Sequence, residues 1–303
     1  MNEHGTYENY RAAKARLFQS LEWTKEKPQG NPRLGIINHD DPKSFDFLND
    51  LIKVNKVNYG LNGEADVHAG NVSYTPFGIR FEAVSKGFRV GISSNLVGAY
   101  NVSNCLAALC VAVYGLGIEP EIAAQGIAAL DGIPGRMERI DMGQNFVTIV
   151  DFAHTPNALR RSLTVARTLT PGRVIAIFGC AGLRDVEKRV MMGHIAAELA
   201  DLTLITAEDP RTENLDAIIA ATAEAMLADG AIEGQTFERV PDRGRAIYRA
   251  VQLAGPNDMV IALGKGHEQS MCFGQIEYPW DDREAMRSAL RGQPLLTLPT
   301  AEK

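Results

Sequence analysis

"RVIAIFGCAGLRDVEKR", Arg173 to Arg189, decides how the chain is read. Val174 to Phe178 is an uninterrupted apolar run of strand length, the pattern of a strand covered on both faces. A small loop follows, and then Arg184, Asp185, Lys188 and Arg189 gather where the next helix should begin. In an open α/β sheet the carboxyl ends of the strands form the ligand-binding edge. Cations gathered at such an edge raise the question of which anion they hold.

Working outward, "FVTIVDFA" predicts a strand ending at Asp151 and "TPNALRRSLTVARTL" an amphipathic helix. Beyond the opening stretch come the helix "KRVMMGHIAAELA", strand "LTLITA", helix "LDAIIAATAEAMLA", strand "FERV", helix "RGRAIYRAVQLA" and strand "DMVIALG". Strands alternating with helices imply a parallel, doubly wound sheet. The Gly- and Pro-containing "GIPGR" serves as the linker, so the expected domains are 1–131 and 132–303, with "GQPLLTLPTAEK" as a peripheral tail.

The first half is less regular. "YENYRAAKARLFQSL" and "PKSFDFLNDLIKV" predict helices around a strand in "RLGIINHDD". "ADVHAGNVSYT", "GIRFEAVS" and "FRVGISS" alternate in polarity and read as antiparallel hairpins. Two helices follow, "AYNVSNCLAALCVAVYGLG" with a glycine stop and "PEIAAQGIAAL" with proline in its first turn.

Composition excludes several classes. A length of 303 residues suits about two domains. The net charge of -6 argues against a general nucleic-acid binder, and no apolar run reaches the ~18 residues of a membrane span. Cys105, Cys110, Cys180 and Cys272 lack CxxC spacing, which predicts neither zinc nor disulfides and fits a reducing cytoplasm.

Four strand-end loops carry polar residues: "DFAHTP", "GCAGLRDVEKR", "AEDPRTEN" and "GKGHEQ". On one edge they would combine Asp151, His154, Arg184, Lys188, Arg189, Asp209, Arg211, Lys265, His267 and Glu268, a set suited to a zwitterionic ligand together with phosphates. The plain alternative is that loops are polar because they lie on the surface.

"YRAAKARLF", "GAYNVSNCLAA", "GRMERI", "VDFAHTPNAL", "FGCAGLRDVEKR", "EDPRTE" and "GKGHE", in this order, resemble the Mur ligases, and within them the type that adds a diamino acid to UDP-N-acetylmuramoyl-dipeptide. The resemblance covers nearly the whole chain. It implies an α/β fold in which a partial central ATPase domain precedes a Rossmann-like, doubly wound C-terminal domain. It also implies a monomer that uses ATP and Mg2+ and takes UDP-N-acetylmuramoyl-L-Ala-D-Glu and a diamino acid as substrates, with no nucleic-acid or membrane partner. The G-x-x-x-x-G-K-[ST] phosphate loop of such a central domain does not occur in these residues. The expectation is therefore an N-terminally truncated ligase, inactive alone.

Residue by residue, the resemblance implies that Lys14 is carbamylated into a magnesium ligand, with His4 nearby. Asn104 would lie near adenine, with Asn101 on the same helical face, Arg136 on an ATP phosphate, and Asp151 on the ribose with His154 beside it. Arg184 would hold the diamino acid's carboxylate. Glu208, Asp209, Pro210 and Arg211 would form the specificity loop, with Gly264 and Glu268 as further acceptor contacts. Arg211 favours an acceptor with a distal carboxylate and Asp209 one with a bare ammonium, so diaminopimelate, lysine and ornithine all stay open. Other readings also stay open for single residues: Asn101 or Asp151 as helix caps, Lys188 and Arg189 as ordinary first-turn residues.

Two other functions compete. A dinucleotide-dependent oxidoreductase needs G-x-G-x-x-G, which "GCAGLR" does not supply. A non-catalytic remnant or partner subunit would keep the amino-acid-binding fold without the phosphate loop.

Overall fold

A computed structural model describes residues 6–75 and 77–302, and the chain divides into two units, Met1–Asp131 and Gly132–Lys303. Each is described by itself.

The first unit opens with α1 (Tyr7–Gln19), capped by the Thr6 side chain, then β1 (Leu34–Asn38) and α2 (Pro42–Leu51), capped by Asp41. Its sheet runs in the order β1, β2 (Asn55–Gly60), β3 (Val67–Thr75), β4 (Gly78–Ser85), β5 (Arg89–Ser94). β1 to β3 are parallel, and β3 to β5 form the expected antiparallel hairpins. α3 (Ala99–Cys110) continues as one π-helical stretch over Val111–Gly115, and α4 (Pro120–Ala128) follows. Leu106 and Leu109 of α3 pack with Ile79, Phe81 and Ile92 to form the core. β2 escapes a pattern reading because "NKVNYG" carries no strong alternation and only Gly60 is buried.

The second unit has the sheet order β10, β9, β8, β11, β7, β6. β7 (Val147–Asp151), β8 (Val174–Phe178), β9 (Leu202–Ile205), β10 (Phe237–Arg239) and β11 (Met259–Leu263) are parallel; their helices are α5 (Pro156–Leu169), α6 (Glu187–Leu199), α7 (Leu215–Ala228) and α8 (Arg243–Leu253). Every residue of β8 and β11 is buried, as a sheet covered on both faces requires. β11 inserts between β7 and β8, reversing the strand order, and Leu263 is in register with Asp151. The loops after β7, β8, β9 and β11 therefore leave one edge of the sheet side by side.

Three features depart from the sequence reading. β6 (Glu138–Arg139) adds an antiparallel edge to the parallel sheet. A hairpin of β12 (Ser270–Phe273) and β13 (Ile276–Pro279), followed by α9 (Asp282–Leu290), extends the alternation. The tail is not peripheral: Leu298 is only 3% exposed within the core cluster, and Thr300 donates to Asp242 at 2.8 Å. Its apolar positions were too few to show a period, so only tertiary contact reveals their burial. Leu298→Ala should lower unfolding free energy by about 2–5 kcal/mol, as for other buried leucines. Chemical denaturation checks it, and a change within about 0.5 kcal/mol, typical of a surface site, would return the tail to the periphery.

Candidate functional site

Arg184 and the residues around it lie on the loop after β8, and the loop Glu208–Arg211, read from sequence as setting specificity, follows β9. Among the described residues six non-glycine residues have positive φ, and three of them, Leu183, Asp209 and Arg211, fall on these two loops. Such backbone costs free energy and persists only where surrounding contacts over-determine it.

The cations of the edge separate into two kinds. Arg189 is 3% exposed and forms a two-pronged ion pair with Glu213, at 2.5 and 2.7 Å. Its anion is thus the chain's own, and neither a ligand nor solvation explains it. Lys265, also buried, donates to Asp209 Oδ1 at 2.9 Å and pairs with Glu268 Oε2 at 2.7 Å. Burial works against the Lys265 charge, but the bonds to Glu268 and Asp209 outweigh it and raise its pKa above the ordinary lysine value. The Arg184 and Arg211 side chains make no hydrogen bond or ion pair among the described residues. Arg184 is exposed, whereas the Arg211 Nε is buried without a partner. On these two loops they are the guanidiniums without a partner, and the Lys188 ammonium likewise makes no hydrogen bond or ion pair among the described residues. Lys188 is half-buried beside Glu208.

Sequence reading set Asp209 and Glu268 against a ligand's ammonium; the ammonium they hold here is that of Lys265. Asp209 Oδ1 also accepts from the Cys272 backbone N–H at 2.9 Å, which fixes the β12 strand to the loop. Glu208 is 5% exposed, and its Oε2 has no partner. Burial pushes its pKa up to about 7, although Lys188, Arg243 and Lys265 pull it back. Gly264, at φ +112, faces this carboxylate so closely that a Cβ would collide with Oε2. Pro210 is buried between Asp209 and Arg211.

On the β7 side, Asp151 does not cap the following helix, which Thr155 caps instead. Its Oδ1 accepts from the Met137 N–H at 3.0 Å and its Oδ2 from the Ser162 hydroxyl at 2.6 Å. His154 Nδ1 lies 2.9 Å from the Phe152 carbonyl. The Phe152 ring gathers Arg136 at 4.6 Å, His154 at 4.5 Å and His267 at 4.9 Å, an aromatic plate with three nitrogen-bearing groups around it.

In the first unit, Asn101 is not an N-cap: Gly98 holds that position, and the buried Asn101 amide donates to the Val97 carbonyl at 2.8 Å. Asn104 donates to Asn101 Oδ1 at 2.9 Å, so the two share a helical face as their spacing predicts. Lys14 is exposed, its ammonium 5.6 Å from the Tyr10 ring centre, beside a cavity of about 200 Å³. His4 lies outside the described residues. No cluster of three His, Cys, Asp or Glu among the described residues could hold a metal ion. The described residues thus do not make a donor set for Mg2+. The described residues also contain no helix long and apolar enough to cross a membrane.

A family model described as the Mur ligase middle domain matches residues 1–112, and one described as Mur ligase, glutamate ligase domain, matches residues 135–266. The chain belongs to the Mur ligase family. It is 41% identical over 291 residues to a UDP-N-acetylmuramyl-tripeptide synthetase of Roseiflexus sp. (strain RS-1), covering 95% of this chain and 57% of that protein. It is 40% identical over 292 residues to a UDP-N-acetylmuramoyl-L-alanyl-D-glutamate–2,6-diaminopimelate ligase of Solibacter usitatus (strain Ellin6076), covering 95% and 56%. A solved structure of a ligase of the latter name, at 30% identity, superposes with a TM-score of 0.63 over 95% of this chain and 57% of that one. The MurF ligase from Thermotoga maritima in complex with ADP, at 18% identity and TM-score 0.64 over 88% of this chain and 55% of that one, shares the fold. The chain spans just over half the length of the relatives it matches.

The Glu208 environment carries a pH signature. A carboxyl whose pKa is raised from 4.5 unfolded to about 7 folded binds more protons in the folded state between those values. Stability should therefore fall as pH rises through that window, by a contribution on the order of 3 kcal/mol, and level off above it. Glu208→Gln should flatten this part of the profile, measured by urea unfolding from pH 4 to 8; an unchanged slope would assign the pH dependence to other groups.

Proposed function

We propose that the chain supplies the amino-acid-binding part of an ATP-dependent, amide-forming ligase of peptidoglycan precursor synthesis. ATP, when bound, would supply its terminal phosphoryl group to the carboxylate of a UDP-N-acetylmuramoyl-dipeptide, giving an acyl phosphate and releasing ADP. The amine of a diamino acid then bonds to the acyl carbon, the carbon–oxygen bond to phosphate breaks, and the nitrogen sheds a proton. The observation that carries this reading is the pair of unpaired guanidiniums, Arg184 and Arg211, on neighbouring strand-end loops of a Mur ligase domain.

Arg184 and Arg211 grip carboxylate through their planar forks. Glu208, with its free Oε2, and the Glu268 oxygen not bonded to Lys265 accept from ammonium. Holding the amine in a fixed place is what lowers the barrier to attack. Asp209 acts through Lys265, setting how much negative charge the acceptor meets, while Pro210 and Gly264 shape the floor. On the nucleotide side, within the second unit, Arg136 meets phosphate and Asp151 and His154 meet the ribose. The setting is the cytoplasm, with one copy of the chain at work.

The relatives' names include both diaminopimelate ligases and tripeptide synthetases, so the acceptor is found by titration. Amide shifts of the chain should respond to at least one of meso-diaminopimelate, lysine and ornithine at millimolar concentration, in the loops around Arg184, Asp209–Arg211 and Gly264–Glu268. Arg211→Ala should weaken binding about tenfold more than Lys188→Ala, because a desolvated fork loses more than a half-solvated ammonium. Asp209→Asn should move preference away from lysine or ornithine and toward diaminopimelate. Silence of all three loops toward every diamino acid would sink the reading in favour of a structural remnant. Assayed alone, the 303 residues should give no ligation, since phosphoryl transfer rests on a phosphate cradle that they do not encode; robust turnover would contradict this.

A further inference from the structure

The geometry points to Glu213 as the residue that positions Arg184, an inference that rests on Arg184 being the acceptor's carboxylate ligand. Glu213 stands just beyond the specificity loop, ahead of α7, and nothing in its own position addresses a ligand. Its carboxylate instead reaches the loop after β8 at two points. Oε2 accepts from the Leu183 backbone N–H at 2.9 Å, while both oxygens take the Arg189 guanidinium. Leu183 is the residue immediately before Arg184. It holds φ +55, a left-handed conformation unfavourable for a leucine, and the residue is 65% exposed, outside the packed core. The bond to Glu213 is what holds this turn.

The two loops also meet through their backbones. The Gly182 N–H donates to the Asp209 carbonyl at 2.9 Å, and a Cβ on Gly182 would overlap the Pro210 carbonyl. The Glu213 N–H in turn donates to that Pro210 carbonyl at 3.1 Å. Gly182, Leu183, Asp209, Pro210 and Glu213 thus form one hydrogen-bonded unit, with Arg184 leaving it on one side and Arg211 on the other. Arg189 is the second leg of the clamp: it is fixed in α6 and supplies the charge that keeps Glu213 ionised. Its fork and the Leu183 N–H hold the Glu213 pKa at about 2, so the clamp stays closed at any working pH. A carboxylate bound between Arg184 and Arg211 would depend on the spacing that this unit sets.

The test separates positioning from simple charge neutralisation. Glu213→Gln weakens the clamp and leaves the buried Arg189 unneutralised, so it is paired with Arg189→Met/Glu213→Met, which removes both charges of the pair together and is expected to remain folded. Both are compared with the wild-type chain for melting temperature, for amide hydrogen exchange at Leu183 and Arg184, and for binding of whichever of lysine, ornithine and meso-diaminopimelate the wild type prefers. The control ligand is 1,5-diaminopentane, which has no carboxylate. Both variants should exchange the Leu183 and Arg184 amides faster and bind the diamino acid about tenfold more weakly, with the diamine unaffected. Arg184→Ala should show the same loss, and adding Glu213→Gln to it should cost nothing further, the signature of two residues acting through one contact. Unchanged exchange, equal losses for diamino acid and diamine, or additive losses would overturn the inference while leaving the Arg184 reading intact. A silent Arg184→Ala, or no diamino acid binding by the wild type, would bring down the acceptor reading and this inference with it.

Discussion

The Arg243–Asp282 ion pair is the constraint on which the candidate site depends. Both side chains are fully buried. Arg243 donates to Asp282 at 2.7 and 2.6 Å, to the Ala207 carbonyl at 3.2 Å and to the Leu263 carbonyl at 2.8 Å. Those carbonyls belong to the residues just before Glu208 and Gly264, so one guanidinium ties down the starts of two functional loops. Asp282 also accepts the Trp280 indole N–H at 2.8 Å. A buried pair of this kind adds little net stability, but removing one partner strands a charge and costs about 3–5 kcal/mol. Its use is geometric: two of the four hydrogen bonds of the fork hold strand-end carbonyls, and the other two hold Asp282. The hairpin and α9, which bring Trp280 and Asp282, are therefore part of the site although none of their residues faces it in the sequence reading.

A similar economy governs the charges above this pair. Arg189 and Lys265 are neutralised from within, by Glu213 and by Asp209 with Glu268. Arg184 and Arg211 are not. An edge that looks uniformly polar in sequence is thus divided between charges that build the loops and charges available to a ligand. Glu208 stands apart from both groups of cations: burial raises its pKa to about 7 while Lys188, Arg243 and Lys265 oppose the rise.

How much of this was legible follows from range in sequence. β8 could be read because its apolar run is continuous, and the common edge of four loops followed from strand alternation alone. The Asn101–Asn104 contact was legible because helical periodicity fixes the i to i+3 geometry. Arg189 and Glu213 are 24 residues apart, and Lys265 and Asp209 are 56 apart. No local pattern distinguishes such cations from Arg184, and only the tertiary fold reveals which have partners. β12 and β13 were missed for another reason: each is four residues long, and a two-stranded ribbon carries too few alternations to register as a period.

The start of α6 shows how these levels combine. Lys188 and Arg189 occupy its first turn, where the helix dipole disfavours cations by about 0.3–1 kcal/mol each. Val186 at the N-cap position offers no side-chain acceptor, and Asp185 Oδ1 takes the Glu187 N–H at 3.1 Å instead. Glu187 in the same turn and Glu213 from the neighbouring loop restore the balance of charge. A helix start that is poor by local rules is thereby made to depend on the specificity loop for its counter-charge. The dependence runs in both directions, since Glu213 takes its orientation from Arg189 and passes it to Leu183. A substitution in either loop is therefore felt in the other, because the two loops cannot relax independently.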